Sequence, residues 1–335
     1  MRMVEKKKLL LIALLIGGLL PHASAQQTQS VMYQETRRLM WADFEIVAYG
    51  PNRVRLAEAA NAAFEEIDRL DQQMSNYSET SELTDINRQA ARKEVIVEKE
   101  LFDLLKLSLD YSRSTGGAFD ITVGPLMKAW GFFKGQGRVP GPGELTGVKD
   151  RVGFQHVRLN EPAHSIRFDR EGVELDLGGI AKGYAVDKAA QILRESGVRS
   201  ALISSGSSIY ALGAPPNKTG WPIEVRDPLA PERRITSLEL KDQSLSTSGC
   251  YDQTFKLGGK TYCHIMDPRT GFPIDGMLSA TVITPRGVEA EVFSKVVMVL
   301  GVEKAKSCLK QHQEVRAIVY YRQPDGGLGC AKLNF

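Results

Sequence analysis

Residues 174–187, ELDLGGIAKGYAVD, bring three glycines (Gly178, Gly179, Gly183), Lys182 and the acids Asp176 and Asp187 to the point where an apolar, strand-like run turns into a helix. Glycine lets backbone approach a bulky ligand closely. A helix start aims free N–H groups and the positive end of its dipole at an anion. The segment therefore reads as a phosphate-facing turn. It matches neither standard nucleotide loop: GxxxxGK[ST] is absent, and GGIAKG lacks the spacing and later acidic partner of a dinucleotide fingerprint.

A second chemical cluster is HIMDPRTGFPI, residues 264–274. His264, three residues ahead of Asp267 and close to Arg269, is a candidate general base with a carboxylate and a cation nearby. The same letters also describe a strand end and a tight turn shaped by Pro268 and Gly271. Three further polar islands interrupt the apolar framework: MSNY at 74–77, GGAFDITVGPLMKAWGF at 116–132 and TSG at 247–249. Tyr77, Trp130 and Phe132 could stack on a flat ring or fill a core. Asp120 and Asp176 could contact a ligand or satisfy backbone N–H groups.

The elements that must position these groups are legible from periodicity. Asn52 to Met74 and Lys99 to Thr115 carry apolar residues at helical spacing, with a short helix between them capped from Ser81 or Thr84. From Ser200 onward short strand patterns dominate, including a hairpin turned at Gly258-Gly259; the strand SATVIT, helices from about Glu289 to Leu300 and on to about Gln313, and a last strand VRAIVYY follow. The Gly/Pro-rich piece between Gly135 and Gly147 reads as a surface loop. Strands and helices without strict alternation predict an α+β fold, with mixed or antiparallel sheets flanked by helices.

Arg2 and Lys6 to Lys8, the apolar run Leu9 to Leu20 and Ala23-Ser24-Ala25 read as a cleaved secretory signal over 1–25. An exported, soluble, periplasmic domain over 26–335 is expected. The chain's 335 residues have a net charge of +3 and no Lys/Arg block outside the leader, which excludes nucleic acid as an expected partner. Cys250, Cys263, Cys308 and Cys330 match no zinc spacing. A Cys308–Cys330 bridge and four inert thiols are both open readings.

In this order and spacing, GAFDITVGPL, LDLGGIAKGYAVD, STSG and HIMDPRTGFP resemble the ApbE family of FAD:protein FMN transferases, from about Met40 to the C-terminus. The resemblance implies an ApbE-like fold and an exported enzyme. That enzyme binds FAD and, with magnesium, joins its FMN portion to a Thr or Ser hydroxyl of a target protein, which could be membrane-associated, releasing AMP. It implies FAD contacts at Met40, Tyr77, Ala118, Phe119, Asp120, Asp176, Lys182 and Ile265, and a metal-facing carbonyl at Gly179. His264 is the candidate base for deprotonating the acceptor, with Asp267 its alternative or orienting partner.

The sequence departs from that family at the other two metal positions, where the family has Asp and Thr. Glu291 stands for the Asp and Lys295 for the Thr, replacing an oxygen ligand by a cation that cannot coordinate. Ser207 and Ser208 stand where the family has Gly and Asp. Two alternatives follow: a member that binds FAD without transferring it, or a pyrophosphatase that releases FMN and AMP to water.

Overall fold

Strand alternation begins directly at the first described residues. The computed structural model describes residues 30–133, 137–230, 232–251 and 253–335, so the signal expected over 1–25 lies outside them. A hairpin, β1 (Val31–Leu39) and β2 (Ala42–Gly50), turns at Met40 and Trp41, both with left-handed backbone. Helices α1 (Arg53–Met74) and α2 (Glu82–Gln89), strand β3 (Val95–Ile96) and helices α3 (Lys99–Ser114), α4 (Gly124–Ala129) and α5 (Pro142–Lys149) follow. Strands β4 (Val157–Asn160) and β5 (Ser165–Phe168) lead to α6 (Ala181–Glu195). Then come β6 (Ser200–Ser204), β7 (Ser208–Leu212), β8 (Trp221–Arg226), β9 (Arg234–Leu240) and β10 (Gln243–Gly249). The chain continues through β11 (Thr254–Leu257), β12 (Lys260–Cys263), β13 (Met266–Asp267), β14 (Phe272–Pro273) and β15 (Met277–Thr284). It ends with α7 (Gly287–Leu309), β16 (Arg316–Arg322) and β17 (Leu328–Leu333).

The frame is an eight-stranded sheet in the order β1-β2-β6-β7-β10-β15-β16-β17, antiparallel at every pairing. On β2 the alternate residues Phe44, Ile46 and Ala48 face the main core, while Val47 and Tyr49 pack in a second cluster around Trp221 and Ile223 of β8. The sheet is thus covered on both faces. Helix α1 lies beside α6, α6 beside α7, and α7 rests on β10 and β15. Asn52 caps α1 by accepting the N–H groups of Val54 and Arg55 at 2.9 and 3.2 Å. Leu56, Phe64, Ile67 and Leu70 form its buried stripe. Each such side chain taken from water contributes about 1.5–3 kcal/mol.

One reading changes and another is settled. The expected loop over 135–147 gives way to α5, which starts at Pro142 and buries Leu145 and Val148 beside Trp130. Burial of those two side chains overrides the glycine and proline content. Trp130 is fully buried, and its indole N–H donates to the Gly271 carbonyl at 2.9 Å, so it is core and holds the 267–271 turn. The two late helices expected from the sequence are present as the two halves of α7, separated at Gly301, whose φ of 70° a right-handed helix does not admit.

Candidate active site

Helix α6 starts immediately after the glycine turn, with Ile180 at its N-cap and no side chain capping it. The turn folds on itself: Ile180 and Ala181 both donate to the Leu177 carbonyl, at 2.9 and 2.8 Å. The N–H of Gly183 donates to the Glu291 carboxylate. The expected cradle of free helix-start N–H groups is therefore partly closed from within the protein. Gly183 has a packing reason as well: a Cβ there would clash with the carbonyl oxygen of Gly287, and one at Gly287 would clash in return with the Gly183 carbonyl. The backbones of α6 and α7 touch at this crossing.

Glu291 is fully buried on α7. Besides Gly183, its carboxylate meets Lys295 Nζ at 3.1 Å and Lys182 Nζ at 3.6 Å. Burial alone would raise its pKa, but the two ammonium groups and the Gly183 N–H outweigh that and hold it below the usual carboxylate range. Lys295 is lowered by burial and by Lys182, with Glu291 opposing. The neighbouring Ser294 hydroxyl donates to the Glu291 carbonyl at 2.8 Å and lies 2.7 Å from Ser248 of the TSG segment, which ties β10 to this turn of α7.

His264 ends the β11–β12 hairpin region. Its Nδ1 lies 3.2 Å from the Gln253 carbonyl. A carbonyl only accepts, so Nδ1 carries the proton and Nε2 holds the lone pair. Burial, with Lys295 and Lys182 adding to it, lowers His264 to about 4, against a partial rise from the Gln253 bond. The ring is a neutral imidazole near pH 7. The hairpin is anchored by a disulfide, Cys250–Cys263, from the residue after β10 to the residue before His264. Cys308 and Cys330 are free thiols, which corrects the Cys308–Cys330 reading.

On the other side of Lys182, Asp176 accepts the Gly178 N–H at 2.8 Å. Burial raises its pKa, opposed by the Gly178 bond, Lys182 and Asn76. Burial likewise raises Tyr77, and the Asp176 charge adds to the rise. Tyr77 is half exposed and stacks on Phe133 at 4.8 Å between centroids, with Trp41 tilted against it at 5.3 Å. Lys182 and Lys295 thus flank the buried Glu291 at 3.6 and 3.1 Å, and their charges act on Asp176 on one side and His264 on the other.

The remaining expected residues sit around this line. Met40 is at the β1–β2 turn beside Trp41, its N–H donating to Asp71 at 2.7 Å. Ala118 and Phe119 are buried, with the Phe119 ring against Gly179. Asp120 is committed to the fold, accepting the N–H and hydroxyl of Thr122 at 2.9 and 2.7 Å and the Phe154 N–H at 2.7 Å. Ile265 is buried, and its carbonyl accepts the Ile274 N–H at 3.0 Å. Asp267 holds Arg269 by two bonds of 2.8 Å, while the carbonyl of Gln253 takes the orienting place on His264. Sequence reasoning missed Trp41, Phe133 and Ser294. An exposed Trp at a tight turn was the one available signal among them.

Magnesium takes about six oxygen ligands in near-octahedral geometry. Here an ammonium lies against the Glu291 carboxylate, and among the described residues no group of three or more His, Cys, Asp or Glu could hold a metal. The residues present do not fit a divalent cation.

The sheet and its glycine-crossed helices define an α+β protein with a buried charge cluster and an exposed aromatic shelf. The ApbE family model matches residues 40–319. FAD:protein FMN transferases of Klebsiella pneumoniae (strain 342) and Treponema pallidum (strain Nichols) are 34% and 32% identical to the chain. The first alignment covers 79% of this chain and 83% of that protein, the second 80% and 79%. The ApbE protein of Thermotoga maritima superposes with a TM-score of 0.82 at 28% identity, covering 89% of this chain and 96% of that one. The Pseudomonas stutzeri flavinyl transferase ApbE, in its apo form, gives 0.80 at 26%, covering 91% and 95%. The chain belongs to the ApbE family.

Proposed function

We propose that the protein is an FAD:protein FMN transferase. The observation that carries this reading is the cluster of Lys182 and Lys295 on the buried Glu291, within a chain that belongs to the ApbE family. The aromatic shelf of Tyr77, Phe133 and Trp41 suits a flat ring of FAD. Lys182 and Lys295 suit its pyrophosphate. His264 Nε2 takes the proton of the acceptor Thr or Ser hydroxyl. The hydroxyl oxygen bonds to the phosphorus on the FMN side, and the bond from that phosphorus to the bridging oxygen breaks. AMP leaves with the electron pair, its charge met by the two ammonium groups.

The acceptor is a protein hydroxyl, presented by a soluble or membrane-associated target. Export to an oxidising compartment such as the periplasm is supported by the leader pattern over 1–25 and by the Cys250–Cys263 bridge. The magnesium that the family resemblance implies has no part in this reading. Incubation with FAD and an acceptor protein tests it: covalent flavin on the acceptor and stoichiometric AMP are expected. FMN and AMP without covalent product would assign the pyrophosphatase activity instead, and bound FAD with no AMP would leave a binding protein.

A further inference from the structure

Lys295 and Glu291 are a charge pair built into the interior of α7, and they sit where oxygen ligands for a cation are expected. Three features set this pair apart from a surface i,i+4 bridge. The carboxylate is wholly buried, so its charge needs partners, and those it has are two ammonium groups and one N–H. The neighbouring Ser294 hydroxyl is engaged with the Glu291 carbonyl and with Ser248, not with the carboxylate. Finally, the Lys295 side chain keeps 23% of its surface exposed and that of Lys182 26%, while that of Glu291 keeps none.

The charges decide what such a cluster can do. Lys182, Glu291 and Lys295 together carry a charge of +1, with the Asp176 carboxyl on the far side of Lys182. A divalent cation would have to displace Lys295 from the Glu291 carboxylate and then lie beside two ammonium groups. A pyrophosphate meets no such obstacle.

We infer that the Lys295 ammonium, held by Glu291 and paired with Lys182, is the built-in cation of the pyrophosphate site, and that this protein binds and processes FAD without a divalent metal. The inference rests on the transferase reading for the identity of the ligand and adds the residue that supplies the charge. Lys295 touches the substrate; Glu291 acts through it, as a positioning residue.

The test is a titration of the full-length protein with magnesium alone, by calorimetry and thermal shift, followed by FAD binding in excess magnesium and in EDTA. The wild-type protein is expected to show no magnesium heat, no shift in Tm, and FAD affinity equal within about twofold in the two conditions. Lys295→Thr is expected to lose about tenfold or more in FAD affinity in EDTA and to regain part of it with magnesium, because the hydroxyl offers an oxygen where the ammonium stood. Magnesium binding by the wild-type protein, with an FAD affinity that falls about tenfold in EDTA, would overturn the inference. So would Lys295→Thr with unchanged FAD affinity, which makes the pair a structural bridge only. The wild-type measurements stand even if that variant does not fold. None of these readouts needs turnover, so a protein that binds FAD metal-free but flavinylates no acceptor would sink the transferase reading alone.

Discussion

Asp187 on α6 accepts the N–H of Gly287 at 2.6 Å, and that of Val288 at 2.9 Å, and so caps α7 from the neighbouring helix. The bond fixes the register in which Glu291, one turn further on, meets Gly183. Asp187→Ala is expected to destabilise the protein by about 1–2 kcal/mol, the usual cost of a lost helix cap, read from urea unfolding. Its pH dependence has a definite sign. Burial pushes the Asp187 carboxyl up to about 6, with the two N–H bonds opposing. The folded chain therefore binds that proton more tightly than the unfolded chain. The contribution is full below about pH 4 and is lost as pH rises through 6. Asp187→Asn lacks this loss, so its stability relative to wild type should rise between pH 4 and 7; a constant difference would contradict the assignment.

His264, lowered to about 4, remains unprotonated far below the ordinary imidazole range. In kcat/KM for flavin transfer, the acidic limb set by this group should fall near pH 4 rather than 6.5. For folding the sign is opposite to that of Asp187: the unfolded histidine binds the proton more tightly, so stability falls as pH drops from about 6.5 towards 4. Bound pyrophosphate adds negative charge beside Lys182 and Lys295, and an NMR titration should show His264 rising when FAD is present. His264→Gln should lower transfer by about a hundredfold or more while FAD binding persists.

Trp41 is 70% exposed, whereas Trp130 and Trp221 are buried. FAD seated on the shelf should therefore quench mainly Trp41, and Trp41→Phe should abolish most of the fluorescence change. Tyr77→Ala should weaken FAD binding by about tenfold, in keeping with roughly 0.5–1.5 kcal/mol for one aromatic pair. The rate at saturating FAD should stay near that of wild type. A fall in that rate with unchanged affinity would place the flavin elsewhere.

The Cys250–Cys263 bridge closes a segment with a sequence separation of 13 and ends one residue before His264. Reduction, or the Cys250→Ser/Cys263→Ser pair, should cost about 3 kcal/mol in stability. It should also lower transfer more than FAD binding, since the bridge anchors the base and not the aromatic shelf. Thiol titration of the unfolded protein should find two groups before reduction and four after.

What the sequence disclosed followed from local physics. The apolar stripe of α1, the Gly258-Gly259 turn of the β11–β12 hairpin and the break at Gly301 are all written within a few residues. The β1–β2 hairpin was missed because charged residues such as Glu35, Arg37 and Arg38 fill an edge strand. The second half of 135–147 reads as loop because Gly and Pro speak locally, while burial of Leu145 and Val148 is decided by Trp130. At the site, the residues of the glycine turn and the histidine strand could be named from their types. Their partners could not: Gly183 meets Glu291 across 108 positions, and Ser248 meets Ser294 across 46. Such pairs exist only once the sheet has brought β10, α6 and α7 together.

The contact between Gly183 of α6 and Gly287 of α7 is made backbone to backbone, with no room for a side chain at either position. Its geometry is therefore indifferent to whether position 295 carries a hydroxyl or an ammonium. The crossing can be kept while the charges at 182 and 295 are rewritten one residue at a time. A library randomised at 182, 291 and 295 should yield folded proteins over a wide range of local charge, whereas one randomised at 183 and 287 should return glycine at both.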